Sequence, residues 1–381
     1  MDPKAAAQHT LDGISEEVVG LSHQIHADPE LAFEEHRARE RVAEQLTRSG
    51  FSVETGVAGL PTALVGTAGS GELVLGVCAE YDALPDVGHA CGHNIIAASA
   101  VAAGRVLAPL ADELGITVKV FGTPAEERGG GKILMMREGV FDGVHAAMMI
   151  HPAPIEQVMP TTLAVSHLEI SYTGRTAHAS SAPEKGLNAG DALTVAQVGI
   201  GLLRQHLDEN SQVHGIITHG GEAPNIIPGS AKARYPVRAG SLAELEKLQP
   251  RVEDCFEAGA LASGTEVTVE PEYDAYSEFE HDTAMAALYR ANAESLGRQF
   301  PELDEPLRIG STDMANVSLT RPTIHPMVGI DCGDAVNHQP EFTEWCATPS
   351  ADKATLDGGL AMAWTGIDIA LDPDQRARLL G

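Results

Sequence analysis

At 381 residues the chain is long enough for one large core and a second, smaller domain. Its 43% hydrophobic and 21% charged content is that of a globular protein, and no apolar run reaches the roughly 18 residues of a membrane-crossing helix. A formal net charge of −29 repels nucleic acid and anionic lipid, so neither is expected as a partner.

The opening residues, MDPKAAAQHTLDGISEE, lack the basic and apolar regions of a secretory signal. Five scattered cysteines (Cys78, Cys91, Cys255, Cys332, Cys346) argue against a disulfide framework and for a reducing, cytoplasmic setting. Residues 14–24 and 33–49 carry apolar positions at helical spacing. Short apolar runs at 62–65, 73–77, 116–121 and 146–150 read as strands, with a helix-like stretch at 95–107 between them. Strands alternating with helices predict an α/β fold with a mostly parallel sheet covered on both faces.

Near residue 162 the pattern changes. A strand at 163–172 leads to a long apolar helix at about 187–206, then to strands at 212–219 and 231–238. A helix opens at Ser241 with Glu244 three residues on, the pattern of a capping box, and Pro250 should kink or break it. A strand at 265–272 completes a β-α-β-β-α-β order, that of a ferredoxin-like module. The expected organisation is therefore a first domain in two parts, 1–161 and 277–381, with residues 162–276 inserted between them.

The densest chemical signal is the run YDALPDVGHACGHN at 81–94, which follows an apolar strand. In open α/β sheets ligands bind at such C-terminal strand ends. Cys91 and His93 bracket a glycine, so a thiolate and an imidazole can reach one locus, and both suit zinc and similar divalent metals. An isolated Cys-x-His is more often a buried cysteine beside a satisfied histidine, but two further clusters stand at equivalent places. Glu126 and Glu127 follow the strand at 116–121, where one carboxylate can ligate metal while the other acts as general base. His151 follows the strand at 146–150. His338, in Asn-His-Gln-Pro-Glu-Phe, is the natural last ligand. Together these predict a metal site on one rim of one sheet.

These residues resemble the di-zinc aminoacylase, carboxypeptidase and auxin-conjugate amidohydrolase family of metallopeptidases. Within it the chain is most similar to the aminoacylase-like dipeptidases and aminobenzoyl-glutamate hydrolases. The resemblance runs over nearly the whole chain, including HADPELAFEE at 26–35, the Cys-Gly-His and Pro-Ala-Glu-Glu segments, the inserted module, GSTDMAN at 310–316 and the final His-x-Pro-x-Phe. It implies a zinc-exopeptidase-like mixed sheet flanked by helices, with a ferredoxin-like lid that also mediates homodimerisation. It further implies two divalent ions per subunit, zinc with manganese or cobalt as substitutes. Cys91 would bridge them, His93, Glu127, His151 and His338 would complete their coordination, and Glu126 would be the base. Asn94 stands where many amidohydrolase-like members have Asp, as in the dipeptidase-like subgroup, so the resemblance implies the metal site but does not carry over the substrate of the auxin-conjugate enzymes.

In the inserted module the resemblance assigns His178 to the partner subunit's active site, Asn225 to substrate binding and Arg238 to the substrate carboxylate. Gly310, Ser311 and Thr312 would help to hold that carboxylate. The implied reaction is hydrolysis of an amide bond in an N-acyl amino acid or a dipeptide-like substrate.

Other classes fit less well. No Gly-x-Ser-x-Gly elbow is present for a serine hydrolase. Gly129-Gly130-Gly131-Lys132 lacks phosphate-loop spacing, and Gly66-Thr67-Ala68-Gly69-Ser70-Gly71 misses the dinucleotide pattern. The paired glutamates and the lid histidine favour amide hydrolysis over deamination. A catalytically silent binding or regulatory homologue would show a missing ligand or base, and every expected position is filled.

Overall fold

The computed structural model describes residues 2–303, 306–307 and 309–381. These divide into two compact units, one comprising residues 1–161 and 279–381, the other residues 162–278.

The first unit is built on a six-stranded sheet. Its strands run in the order Ser52–Thr55, Leu64–Gly69, Ile116–Thr123, Leu73–Glu80, Ala146–Met148 and Thr323–Ile324. The last four are mutually parallel, whereas Leu64–Gly69 runs antiparallel to both of its neighbours, so the sheet is mixed. Parallel pairing of Leu73–Glu80 with Ile116–Thr123 and with Ala146–Met148 puts three C-terminal strand ends on one rim. A second parallel pair, His151–Ala153 with Met327–Gly329, continues beyond that edge.

The helix His93–Leu107 is buried along its whole length and packs on this sheet. Its small residues allow close approach. A Cβ on Gly104 would lie 2.4 Å from Val120, and one on Gly359, in the neighbouring helix Pro349–Leu371, would lie 2.8 Å from Ala102. By length and a mean hydropathy of 1.5, the stretch His93–Leu114 could cross a membrane, but 83% of that window is buried among its own neighbours. It is a core helix, and Ser99, Gly104 and Arg105 interrupt its apolar run in the sequence. The opposite face of the sheet is filled by Phe121, Met135, Phe141 and Met314, with the two phenylalanine rings 4.3 Å apart.

The first helix, Pro3–His26, begins eleven residues before the amphipathic stretch at 14–24. Asp2 caps it and Pro3 occupies its first position. The second helix starts at His36, because Phe33 has a left-handed backbone (φ 64°) and turns the chain first.

The second unit follows the ferredoxin-like order. Its sheet is antiparallel, running Glu266–Pro271, Ala164–Thr173, Ser230–Ala239 and then Gln212–Val213, with Ile216–His219 also pairing Ser230–Ala239. The strand expected at 212–219 is thus two short pieces. The helix expected at 187–206 is α-helical over Ala189–Leu203 and ends in a 3-10 turn. Helix Leu242–Ser263 is capped by Ser241 and runs on through Pro250 instead of breaking. Leu245, Leu248, Val252 and Phe256 anchor it on both sides of the proline. Pro250 and Glu246, four residues back, are both exposed, so water can take the carbonyl that the proline cannot serve.

This geometry predicts that Pro250→Ala restores a helical hydrogen bond and stabilises the second unit by about 1–3 kcal/mol. Urea denaturation followed by circular dichroism would show a higher midpoint; an unchanged or lower one would contradict the reading.

Candidate active site

Each strand end on the common rim delivers its side chains through a constrained turn. After Leu73–Glu80 the chain passes Asp82 and reaches Cys91, Gly92 and His93, the last opening the core helix. Gly92 is left-handed (φ 76°), and a Cβ there would lie 2.4 Å from the Pro152 ring. Only glycine lets the Cys91 segment approach the His151 segment this closely. After Ile116–Thr123 the chain turns through Ala125, also left-handed (φ 60°), into Glu126 and Glu127. His338 is left-handed as well (φ 72°), and its amide donates to the Ala90 carbonyl at 2.8 Å. That bond ties the distant C-terminal loop to the Cys91 turn.

The donor atoms converge. Cys91 Sγ is 3.3 Å from His151 Nε2. His93 Nε2 is 3.9 Å from Glu126 Oε2 and 3.9 Å from Glu127 Oε1, and His338 Nε2 is 3.6 Å from the same Glu127 oxygen. Two groups have all donors within 4.8 Å of one another: Cys91, His93 and His151, and Cys91, Glu127 and His338. Cys91 belongs to both. A third group, Glu80, His93 and Glu126, adjoins them.

Both inner histidines are oriented from behind. His93 Nδ1 lies 3.0 Å from Asp82 Oδ1, and His151 Nδ1 lies 2.8 Å from the Pro152 carbonyl. With Nδ1 donating, each Nε2 is left with its lone pair facing the cluster, as for metal-bound imidazoles. Asp82 also accepts from the Glu127 amide at 2.9 Å, fixing the backbone of the glutamate pair.

Behind the donors sits a buried ion triad. Lys132, wholly buried, donates through Nζ to Glu80 and to Asp313 Oδ1 (2.7 Å), while its amide donates to Asp313 Oδ2 at 2.9 Å. Lys132, Glu80, Asp82 and Asp313 escaped sequence reasoning. The partners Lys132 and Asp313 are 181 residues apart, so no local pattern links them. Two acidic residues two positions apart at a strand end, Glu80 and Asp82, were the available signal.

Electrostatics expose the strain of packing these groups. Burial, then the charges of Glu80 and Glu127, raise the Glu126 carboxyl well above its ordinary range. Burial raises Glu127 too, against the pull of His93 and His338. Burial, then Glu127, raises the Cys91 thiol strongly. Burial and the nearby His93 push His151 down to about 3. His93 goes the other way: burial opposes its charge, but Asp82 outweighs it.

A pair of divalent cations fits this site. His93 Nε2, Glu80 Oε2 and Glu127 Oε1 are buried without a hydrogen-bond partner, and they face the cluster. Thiolate, imidazole and carboxylate are the donor types that zinc and related metals take. Positive charge there would offset the carboxylate repulsion and favour the deprotonated donors.

The remaining candidates are divided between the two units. Gly310, left-handed (φ 84°), Ser311 and the buried Thr312 lead directly into Asp313, and Thr312 Oγ1 accepts from the Met314 amide at 3.2 Å. A cavity of about 380 Å³ opens beside His151 and His338, walled by Leu307, Ile309, Met327 and Val336. His178, Asn225 and Arg238 belong to the second unit. There His178 and Asn225 sit on adjoining segments: the Ala179 amide donates to the Asn225 carbonyl at 3.0 Å, and His178 pairs with Ile226. Both are exposed. Arg238 is half-buried on the strand Ser230–Ala239, near His167 and His214.

Comparison with known proteins gives the context. Peptidase family M20/M25/M40 matches residues 76–352. The Xaa-Arg dipeptidase of Mus musculus is 38% identical over 97% of this chain and 89% of its own length. A chain of the p-aminobenzoyl-glutamate hydrolase of Escherichia coli K12 is 34% identical over 71% of this chain and 61% of its own length. Among solved structures, a dinuclear metal-binding peptidase of the M20 family from Bacillus subtilis aligns at a TM-score of 0.69 and 20% identity. It covers 94% of this chain and 99% of its own, a likeness of fold.

Removing the lysine from the triad leaves two buried carboxylates without their cation. Lys132→Met is expected to destabilise the first unit by about 3–5 kcal/mol, read by chemical denaturation. A loss under about 1 kcal/mol, the worth of an exposed ion pair, would show that the triad is solvated.

Proposed function

Because this chain belongs to peptidase family M20/M25/M40, a family of metal-dependent peptidases and amidohydrolases, we propose that it hydrolyses the amide bond of an N-acyl amino acid or dipeptide using two divalent cations that share Cys91. The observation that carries this reading is the membership of Cys91 in two donor groups at once. His93 and His151 would hold one cation with it, and Glu127 and His338 the other. Zinc suits this mixture of sulfur, nitrogen and oxygen, and manganese or cobalt are the substitutes to test. When bound, the cations would supply Lewis-acid polarisation of the amide carbonyl and greater acidity of water.

The chain's own groups perform the proton transfers. Glu126 accepts a proton from the attacking water as the water oxygen bonds to the amide carbon. It returns that proton to the nitrogen as the carbon–nitrogen bond breaks, so the products are a carboxylic acid, which ionises in water, and a free amine. Asn225 and His178 of the partner subunit would stabilise the oxyanion that forms in between. The half-buried guanidinium of Arg238 and the loop of Gly310, Ser311 and Thr312 would hold the carboxylate of the released amino acid.

The substrate class rests on the relatives. Xaa-Arg dipeptides and p-aminobenzoyl-glutamate, the compounds in their names, both present an amide whose nitrogen belongs to an amino acid. The second unit would act as lid and dimer contact. Its exposed apolar residues support this, with Val198 and Leu202 on a helix and Ile216 and Ile217 on a short strand of the sheet. The setting in which the enzyme would work is the cytoplasm.

Glu126→Gln should bind metal nearly as the parent does yet lose on the order of 10³-fold or more in kcat, as a general base is removed. A panel of dipeptides and N-acyl amino acids, read by release of free amine, would measure it. Wild-type turnover in this variant would refute the assigned base.

A further inference from the structure

The loop before the second helix reaches the glutamate pair. Glu35 is fully buried, and its Oε1 accepts from the Ala125 amide at 2.8 Å. Ala125 immediately precedes Glu126 and has a left-handed backbone that a residue with a Cβ does not favour. Two more contacts hold the loop there. The Phe33 ring covers Gly129, where a Cβ would come within 2.5 Å of it, and the Glu30 carbonyl accepts from the Ala83 amide at 2.8 Å. Phe33 itself is left-handed. On the far side of Glu126, Asp82 accepts from the Glu127 amide, and the Gly130 amide closes the turn onto the Ala125 carbonyl at 3.0 Å.

The backbone amides on either side of Glu126 are therefore each captured by a different buried carboxylate. Asp82 also orients His93, so it serves the donor cluster. Glu35 has no place among the donor groups; the bond it makes in this region goes to the residue whose strained torsion sets the direction of Glu126. We propose that Glu35 is a positioning residue for the amide hydrolysis, holding Ala125 in its left-handed conformation so that Glu126 faces the reacting water. This rests on Glu126 being the general base. The task needs only an acceptor oxygen at this reach: burial, then the charge of Asp82, raises the Glu35 carboxyl to about 7, and a bond made in a dry interior is stronger than one in water. Misdirecting a base by about 1 Å is enough to cost on the order of 10²-fold in rate.

The test compares Glu35→Asp, Glu35→Gln and Glu126→Gln with the parent, in metal-loaded full-length protein, on a dipeptide that the parent hydrolyses. Aspartate keeps the carboxyl group but withdraws the acceptor by one methylene. Glutamine keeps an acceptor oxygen at the same reach. Positioning predicts that Glu35→Asp loses on the order of tenfold or more in kcat, with KM within about twofold and bound metal unchanged, while Glu35→Gln stays within about fivefold of the parent. A purely structural role would lower the melting temperature without this split between kcat and KM. Three results would overturn the inference: parental kcat in Glu35→Asp, an equal loss in Glu35→Gln, or a loss that tracks missing metal. Failure of the underlying reading looks different, since Glu126→Gln would then turn over at the parental rate.

Discussion

One rim of one sheet carries more buried negative charge than its own cations can balance. Glu80, Asp82, Glu126 and Asp313 are all buried there, with Glu127 and the thiol of Cys91 beside them. Lys132 answers two of these carboxylates and His93 a third. Burial first, and then the charges of Glu80 and Glu127, drive Glu126 above the ordinary carboxylate range, and burial raises Glu127 against the pull of His93 and His338. A fold tolerates such a concentration only if positive charge arrives from outside or protons do. The convergence of thiol, imidazole and carboxylate on the same spot makes divalent cations the natural counter-charge, and the rest of the architecture can be understood as holding those donors in register.

That holding is done mainly by backbone. Parallel strands put the three turns on a common edge, and left-handed residues at Gly92, Ala125 and His338 aim the side chains inward. Carboxylates and carbonyls then lock the turns: Asp82 the Glu127 amide, Glu35 the Ala125 amide, Ala90 the His338 amide. His93 opens a buried helix and His151 opens a strand, which fixes them more firmly than a loop would, while His338 sits on a loop tied down by its amide. An apolar-walled cavity opens beside His151 and His338, at the edge of this rigid frame.

Much of this was legible in the chain because the strands and the donor residues are local signals. An apolar run followed by Cys-Gly-His, Glu-Glu or His-Pro marks both the strand and what hangs from its end. The antiparallel position of Leu64–Gly69 was not legible, because its short apolar run says nothing about direction. Lys132 and Glu35 were not legible for a different reason: their partners lie 181 and 90 residues away, and only the fold brings them together. Pro250 misled because propensity counts the lost hydrogen bond but not the packing on either side that keeps the helix whole. The left-handed torsions at Ala125 and His338 ran against residue preference, and both occur at the site itself, where local rules are most often overridden.

The central claim is that two divalent cations complete this cluster, and the most direct measurement is a metal titration of protein stripped by chelation. Turnover should be absent in the stripped protein and rise with added zinc, manganese or cobalt to a plateau at about two ions per chain, as a two-metal hydrolase requires. Full turnover in protein shown by mass spectrometry to hold no divalent metal would contradict the account.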